Sequence, residues 1–325
     1  MKRSKWNTSA LEIRATLSSL WMVFIMVGGL MAFGAPASAQ GKAKEEKKWE
    51  DFDPKNFDAN SINITNEWMP LTPGMRYVYG GTTLSDDDEP LAHRVIINVT
   101  DLTKVIAGVN CVVSWDLDYS GGELVEAELA FFAQDKEGNV WRMGEYPEEY
   151  EDGEFADAPH WIGGLQDAVP GISMLANPWA GTPSYSQGWG PKVDFTDRGQ
   201  VDEMGVSTCV PMGCYDNVMI IKETSEEEPG IFQLKYFTSG VGNVQVGYKG
   251  DDPSAELLEL IDVLHLKGEN LREMRESALK LEKDAYERRI NKKVYGQTPP
   301  CVVRKDGKEK PVKMKMMKDE PENDE

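Results

Sequence analysis

The sequence predicts a mainly β member of the α+β class: a curved antiparallel sheet or half-barrel meander followed by two C-terminal helices. Two observations carry this. Between Ile62 and Lys249, short runs of β-branched and aromatic residues recur, each bounded by clusters of Gly, Asp, Asn or Pro, the mark of strands joined by turns. After Asp252 the pattern changes to apolar residues three and four apart, the spacing of one helix face.

The chain opens with an export signal over residues 1–39. Lys2, Arg3, Lys5 and Arg14 precede the uncharged run Leu20 to Phe33, and Ala37-Ser38-Ala39 supplies the small-x-small pattern of a cleavage site. The run is shorter than the ~20 residues of a spanning helix, so no membrane span is expected after cleavage near Ala39. No cysteine stands there to carry a lipid. The predicted location is therefore the periplasm or the exterior. Residues 40–61 are charged and without apolar periodicity, which predicts a flexible leader.

The β domain is predicted over residues 62–250. Its strand candidates are Tyr77 to Tyr79, Val95 to Val99, Val109 to Tyr119, Leu124 to Ala133, Val140 to Met143, Tyr215 to Lys222, Ile231 to Phe237 and Val244 to Tyr248. Ser120-Gly121-Gly122-Glu123 and Asp135 to Asn139 turn the chain between neighbours, so consecutive hairpins form a meander. From Tyr146 to Gln200 the pattern weakens into Gly, Pro, Trp and acidic residues, which predicts long loops with short strands.

The two-helix segment is predicted over residues 251–291. Pro253 opens the first helix, with Leu257, Leu258, Leu260, Ile261 and Leu264 at helical spacing. Asn270 and Glu273 form a capping box for the second, whose apolar stripe is Leu271, Met274, Ala278, Leu281 and Ala285. Two turns of stripe favour packing on the sheet over a coiled coil. Residues 292–325, basic and then acidic, predict a disordered charged tail.

The net charge is −20 over 325 residues, and about −23 without the basic leader. Such a chain repels phosphate backbones and anionic membrane surfaces, so nucleic acid is excluded as a partner. Cations are tolerated or attracted, although solubility alone explains a charge of this size. Four cysteines enter an oxidising compartment. Cys209 and Cys214, around the turn residues Val210-Pro211-Met212-Gly213, are the local candidates for a disulfide. The pairing of Cys111 and Cys301 stays open.

The three histidines are His93, His160 and His265, and no nucleophile elbow, phosphate-cradling loop, paired-histidine helix or dinucleotide fingerprint accompanies them. No catalytic residue and no cofactor is assigned. Asp116, Asp118, Ser120 and Gly121 open like a calcium loop, but its twelfth position is Ala127, which cannot close the coordination. The acidic groups Asp86 to Glu89, Glu148-Glu149 with Glu151-Asp152, and Glu226 to Glu228 read as solvated turns, and no metal site is assigned.

Ligand-binding candidates come from two places. Trp115, Phe131 and Trp141 on strands, with Phe132, Tyr236 and Phe237, are placed to line a cavity in a curved sheet. His160, Trp161, Trp179, Tyr185 and Trp189 are interleaved with Gly and Pro in the irregular region, a composition suited to a stacking surface.

Several segments resemble a family of uncharacterised exported bacterial β-rich proteins. They are Pro70 to Tyr79, Ala133 to Trp141, Pro170 to Pro178, Lys222-Glu223-Thr224 and Gly240-Val241-Gly242, and the resemblance covers roughly residues 62 to 250. More loosely, the chain is similar to periplasmic half-barrel lipid-carrier proteins, in which a curved sheet wraps a helical layer. That resemblance implies non-enzymatic binding of an apolar small molecule or lipid in the cell envelope. The alternative is a structural or assembly protein docking on an envelope protein through the aromatic loops or the helix stripe. A hydrolase-like enzyme with a carboxylate site is the third class.

Overall fold

The computed structural model describes residues 47–85, 87–305 and 308–311. The predicted export signal, the start of the predicted leader, Asp86 and the end of the predicted tail lie outside the described residues. Five strands come first: β1 (Met75–Leu84), β2 (Pro90–Ile106), β3 (Val109–Ser120), β4 (Glu123–Gln134) and β5 (Val140–Glu151), each antiparallel to the next. The irregular region holds the short strands β6 (Glu154–Asp157), β7 (Trp161–Ile162), β8 (Val169–Met174), β9 (Tyr185–Ser186) and β10 (Gly188–Trp189). A second meander follows in β11 (Arg198–Val210), β12 (Gly213–Thr224), β13 (Phe232–Thr238), β14 (Gly242–Lys249) and β15 (Leu257–His265). Helix α1 (Gly268–Glu287) precedes a last hairpin, β16 (Val302–Lys305) and β17 (Lys308–Pro311).

β1 joins the two meanders, pairing with β2 along one edge and β15 along the other. On the far side β5 pairs with β8, β8 with β10, and β9, one residue before β10, with β11. These pairings close the sheet into a ring, which removes the free edges that an open half-barrel would leave. The seam is tight: a Cβ at Gly171 would lie 2.2 Å from the Gly188 nitrogen, so only glycine lets the backbones approach there.

Alternation along the strands creates two apolar layers. The inner one collects Tyr77, Tyr79, Val99, Val112 and Phe132 from the first meander and Met219, Ile221, Val246 and Leu260 from the second. Ile62, Ile64, Trp68 and Leu71, from the segment before β1, pack into the same layer and plug one end of the barrel. The outer layer sets Cys111, Val113, Leu129, Phe131 and Tyr146 against Ala278, Leu281 and Ala285 of α1 and against Tyr295. Each large side chain so buried contributes about 1.5–3 kcal/mol. Ion pairs fix the helix: Arg275 to Asp101 at 2.7 Å, Lys104 to Glu282 at 2.7 Å, and Arg288 to both oxygens of Glu148 at 2.7 and 2.8 Å.

Three expectations are corrected. There is one C-terminal α-helix among the described residues, because Leu257 to Leu264 form strand β15. Leu258 and Leu260 point into the core while Leu257, Ile261 and Leu264 are exposed on the other face. With apolar residues on both faces the run fits either period, and the ladder to β1, eight residue pairs long, decides for strand. A Cβ at Gly81 would lie 1.8 Å from the Leu257 carbonyl oxygen, so β1 is built for this close neighbour.

The described part of the leader is ordered as well. Phe52 and Phe57 meet the Trp141 ring at 5.8 and 6.0 Å, and Glu50 accepts a hydrogen bond from the Ser186 nitrogen at 3.0 Å. Two aromatic anchors outweigh the polar composition around them. The start of the tail is likewise held, since Cys301 is buried and β16 pairs with β2.

Cys209 and Cys214 lie opposite each other at the tip of the β11–β12 hairpin and are joined as a disulfide. Cys111 and Cys301 are free and buried. The ladder puts Cys111 opposite Lys104 on one side of β2, and Cys301 immediately precedes Val302, which pairs with Thr103 on the other. Two strand spacings, about 9–10 Å, thus separate them, beyond the ~7 Å reach of a disulfide. Thiol titration of denatured, unreduced protein is expected to find two thiols, and four after reduction; none before reduction would overturn this pairing.

Candidate ligand lumen

The apolar inner layer does not fill the whole barrel. Along β3 the inward positions run Val112, Ser114, Asp116, Asp118, and along β4 they run Phe132, Ala130, Glu128, Glu126. One half of the interior is therefore acidic. The ladder sets Asp116 opposite Glu128, Asp118 opposite Glu126, and Glu126 opposite Glu149 on β5. Like charges directly opposed on one sheet face are destabilising, and here they occupy two successive rungs.

The cations in this half are few among the described residues. Arg142 pairs with Glu128 at 3.0 Å and Glu145 at 3.2 Å. Lys235 pairs with Glu223 at 2.6 Å, and Gln187 donates to the same carboxylate at 2.6 Å. His93 Nε2 meets Asp118 at 2.7 Å and its Nδ1 lies 3.4 Å from Glu256. Burial pulls the His93 pKa down, but the two carboxylates outweigh it and hold it above its ordinary value.

The carboxyls respond to this shortage of positive charge. Burial, reinforced by Glu128, pushes Asp116 up to about 7. Glu145 is pushed up to about 8 by burial against the opposing pull of Arg142, and Glu256 to about 7, again by burial. Glu126 and Asp197 are held well above the usual carboxylate range by burial and by neighbouring acids. Asp197 is 6% exposed and its Oδ1 has no hydrogen-bond partner among the described residues.

This half of the interior also contains space. Arg142 and Glu128 keep 23% and 13% of their side-chain surface accessible, and Val95 and Ile97 on the same wall are only half-buried. Accessible surface inside a closed ring requires room for water, so the acidic half is a lumen rather than packed core. No group of three or more His, Cys, Asp or Glu side chains is arranged to hold a metal ion among the described residues.

The turns complete the picture. Strand alternation brings the connections β1–β2, β3–β4, β5–β6, β12–β13 and β14–β15 to the lumen's end of the barrel, and Leu84 donates to the Ser254 carbonyl there at 2.8 Å. These connections carry Asp87 to Glu89, Glu151 and Asp152, Glu226 to Glu228, and Asp251 and Asp252. The acidic turns that are far apart in sequence thus ring one mouth. The opposite end, by contrast, has turns such as Ala107-Gly108 and Pro211-Met212.

The aromatic candidates are distributed differently. Phe131 is buried beneath Tyr295, and Trp115 packs on the same helix-facing layer. Trp141 is buried in that layer too, its indole nitrogen donating to Asp135 at 2.8 Å. His160 lies against Tyr146 and Tyr295 at ring distances of 5.5 and 6.4 Å. Its Nδ1–H donates to the Ala158 carbonyl at 2.7 Å, leaving Nε2 as a buried acceptor; burial lowers its pKa. It lines a cavity of about 10 Å³ with Trp161 and Val294, room for one water.

Trp161, Tyr185 and Trp189 gather at the seam. Trp161 is opposite Glu145 in the ladder and meets Phe195 at 4.9 Å. Tyr185 is buried on Gly199, and Trp189 meets Trp49 at 5.7 Å under the Lys48 ammonium. Trp179 stands 57% exposed. Sequence reasoning met Asp116 and Asp118 only as the opening of an incomplete calcium loop and Glu149 only as part of a solvated turn, and missed Glu126, Glu128, Glu145 and Asp197. Their signal is the alternation Asp116-x-Asp118 and Glu126-x-Glu128, which reads as a solvent face until the ring closes over it.

No family model and no curated protein matches the chain. Among solved structures it is similar to a Bacteroides fragilis protein designated an exported protein with a YmcC-like fold. The identity is 10% and the TM-score 0.37, over 61% of this chain and 98% of that one. It is also similar to a protein of Parabacteroides distasonis designated a lipoprotein, at 12% identity and a TM-score of 0.27, over 61% of this chain and 99% of that one.

Proposed function

We propose that this is an exported, non-enzymatic binding protein of the cell envelope that holds a small polar molecule in the acidic half of its barrel. One observation carries the reading: inward-facing polar side chains keep accessible surface inside a closed ring. Export rests on the signal pattern of residues 1–39. An apolar ligand, which the lipid-carrier resemblance implies, would have to displace packed side chains such as Phe132, Met219 and Ile221. Displacing close-packed core is costly, whereas the polar half exchanges only water.

The test is access. In folded protein, Ile97→Cys is expected to react with methyl methanethiosulfonate at least tenfold faster than the buried Cys111 and Cys301. Protein recovered from its own host is expected to release a small polar molecule on denaturation, read by mass spectrometry. An Ile97→Cys thiol as slow as the two buried cysteines would mean a sealed interior and would remove the reading.

A further inference from the structure

We propose that the lumen's ligand is a slender organic polycation, an unbranched alkyl chain bearing two or more ammonium groups, drawn in through the acidic mouth. This rests on the binding reading above and names its ligand class. Four independent features of the molecule point the same way.

The first is the pair of opposed acid rungs. Asp116 stands opposite Glu128, and Asp118 opposite Glu126, which faces Glu149 in turn; the cations beside them, Arg142 at Glu128 and His93 at Asp118, are shared with Glu145 and Glu256. The rungs are two residues apart along the strands, about 7 Å, a separation that a chain of four carbons between two ammonium groups spans. An ammonium group donates three hydrogen bonds, which suits a rung of two or three carboxylates.

The second is Asp197. It is buried beside Glu145, Glu223, Arg142 and Lys235, so it faces groups from both walls, yet its Oδ1 lacks a partner among the described residues. A buried carboxylate oxygen without a donor is destabilising. A ligand N–H entering the lumen would satisfy it.

The third is the mouth. Acidic residues from four connections meet at the lumen's end, and a cleft lined by one sign of charge concentrates counter-ions and raises their rate of entry. The fourth is the absence, among the described residues, of a ready metal-ligand group. Carboxylates spread along a wall suit charges spread along a chain better than one compact ion that needs six to eight oxygens around it. Space restricted to gaps between side chains selects a thin ligand over a globular one.

The test uses the full-length protein, expressed with its own leader and purified from the envelope. Thermal melts at pH 8 compare 1,4-diaminobutane and spermidine with butylamine, calcium chloride and a lysine-rich peptide, all at matched ionic strength. The two polyamines are expected to raise Tm by several degrees, and the others by no more than sodium chloride does. Asp197→Asn and Glu126→Gln are each expected to weaken the polyamine at least tenfold by calorimetry. Glu273→Gln, exposed on α1 outside the barrel, is expected to leave it within twofold.

Equal shifts with calcium chloride would replace the polycation by a metal ion and overturn the proposal. A shift with the peptide alone would make the mouth a docking surface and overturn it equally. If no amine acts while Ile97→Cys still reacts quickly, the ligand class is wrong and the binding reading stands. If Ile97→Cys is also unreactive, both fail.

Discussion

Replacing Glu282 by alanine is expected to cost about 3–5 kcal/mol of folding stability, the penalty of leaving a buried charge without its partner. Lys104 and Glu282 are both fully buried, 2.7 Å apart, between the sheet and α1. Lys104 also donates to the Tyr286 hydroxyl at 2.9 Å and the Pro299 carbonyl at 2.8 Å, and lies 4.5 Å from the centre of the Tyr295 ring. Glu282 in turn accepts from the Cys301 nitrogen at 3.0 and 3.1 Å. One carboxylate therefore ties β2, α1 and the residue that leads into β16. Its removal strands an ammonium and a backbone N–H together. Urea melts followed by circular dichroism measure the loss. The double variant Lys104→Met with Glu282→Met is expected to lose less than Glu282→Ala alone, because no charge is left unpaired. A Glu282→Ala variant within about 1 kcal/mol of the parent would refute this account.

Folding stability is expected to fall as pH rises from 5 to 9, by on the order of 3 kcal/mol. Asp116, Glu145 and Glu256 titrate near 7, 8 and 7 in the folded protein, against roughly 4 in an unfolded chain. Between these limits the folded state holds protons that the unfolded state has released. Stability then declines with pH and the decline is complete above the folded values. His93 acts in the same sense, since its raised pKa makes its pairing with Asp118 fully effective at low pH and lost at high pH. Glu148, held below its ordinary value chiefly by Arg288 against the effect of burial, works the other way, its contribution disappearing in acid. A three-unit shift on one isolated group corresponds to about 4 kcal/mol, and coupling among the acids and water in the lumen reduce the sum. Urea melts at pH 5, 7 and 9 give the slope. The Glu145→Gln variant is expected to flatten it, and a flat or rising profile in the parent would contradict the assignment.

Much of the fold is legible in the sequence because it is local. Turn residues and two-residue alternation mark β3, β4 and the hairpin between them to within a few positions. The stripe Met274, Ala278, Leu281 and Ala285 marks the helix and the face it buries. Cys209 and Cys214 are separated by a turn and needed only that turn to meet. Leu257 to Leu264 escaped because an apolar run on both faces satisfies either period, and a partner strand almost 180 residues away in sequence settled it.

The site was hidden for a related reason. Asp116, Glu126 and Glu128 alternate with apolar residues as a solvent-facing set does, and the helix, lying on the Val113, Leu129 and Phe131 face, makes that apolar set the outer one. Which face is inside depends on closure through β8, β9 and β10, strands two to six residues long with no periodicity of their own. The sequence by itself determined the meanders, the helix stripe and the disulfide turn, all set by neighbours in the chain. Only the tertiary structure decided that the sheet closes, that its acids face inward in opposed rungs, and that distant acidic turns share one mouth. Each of these depends on long-range strand pairing, which local pattern does not encode.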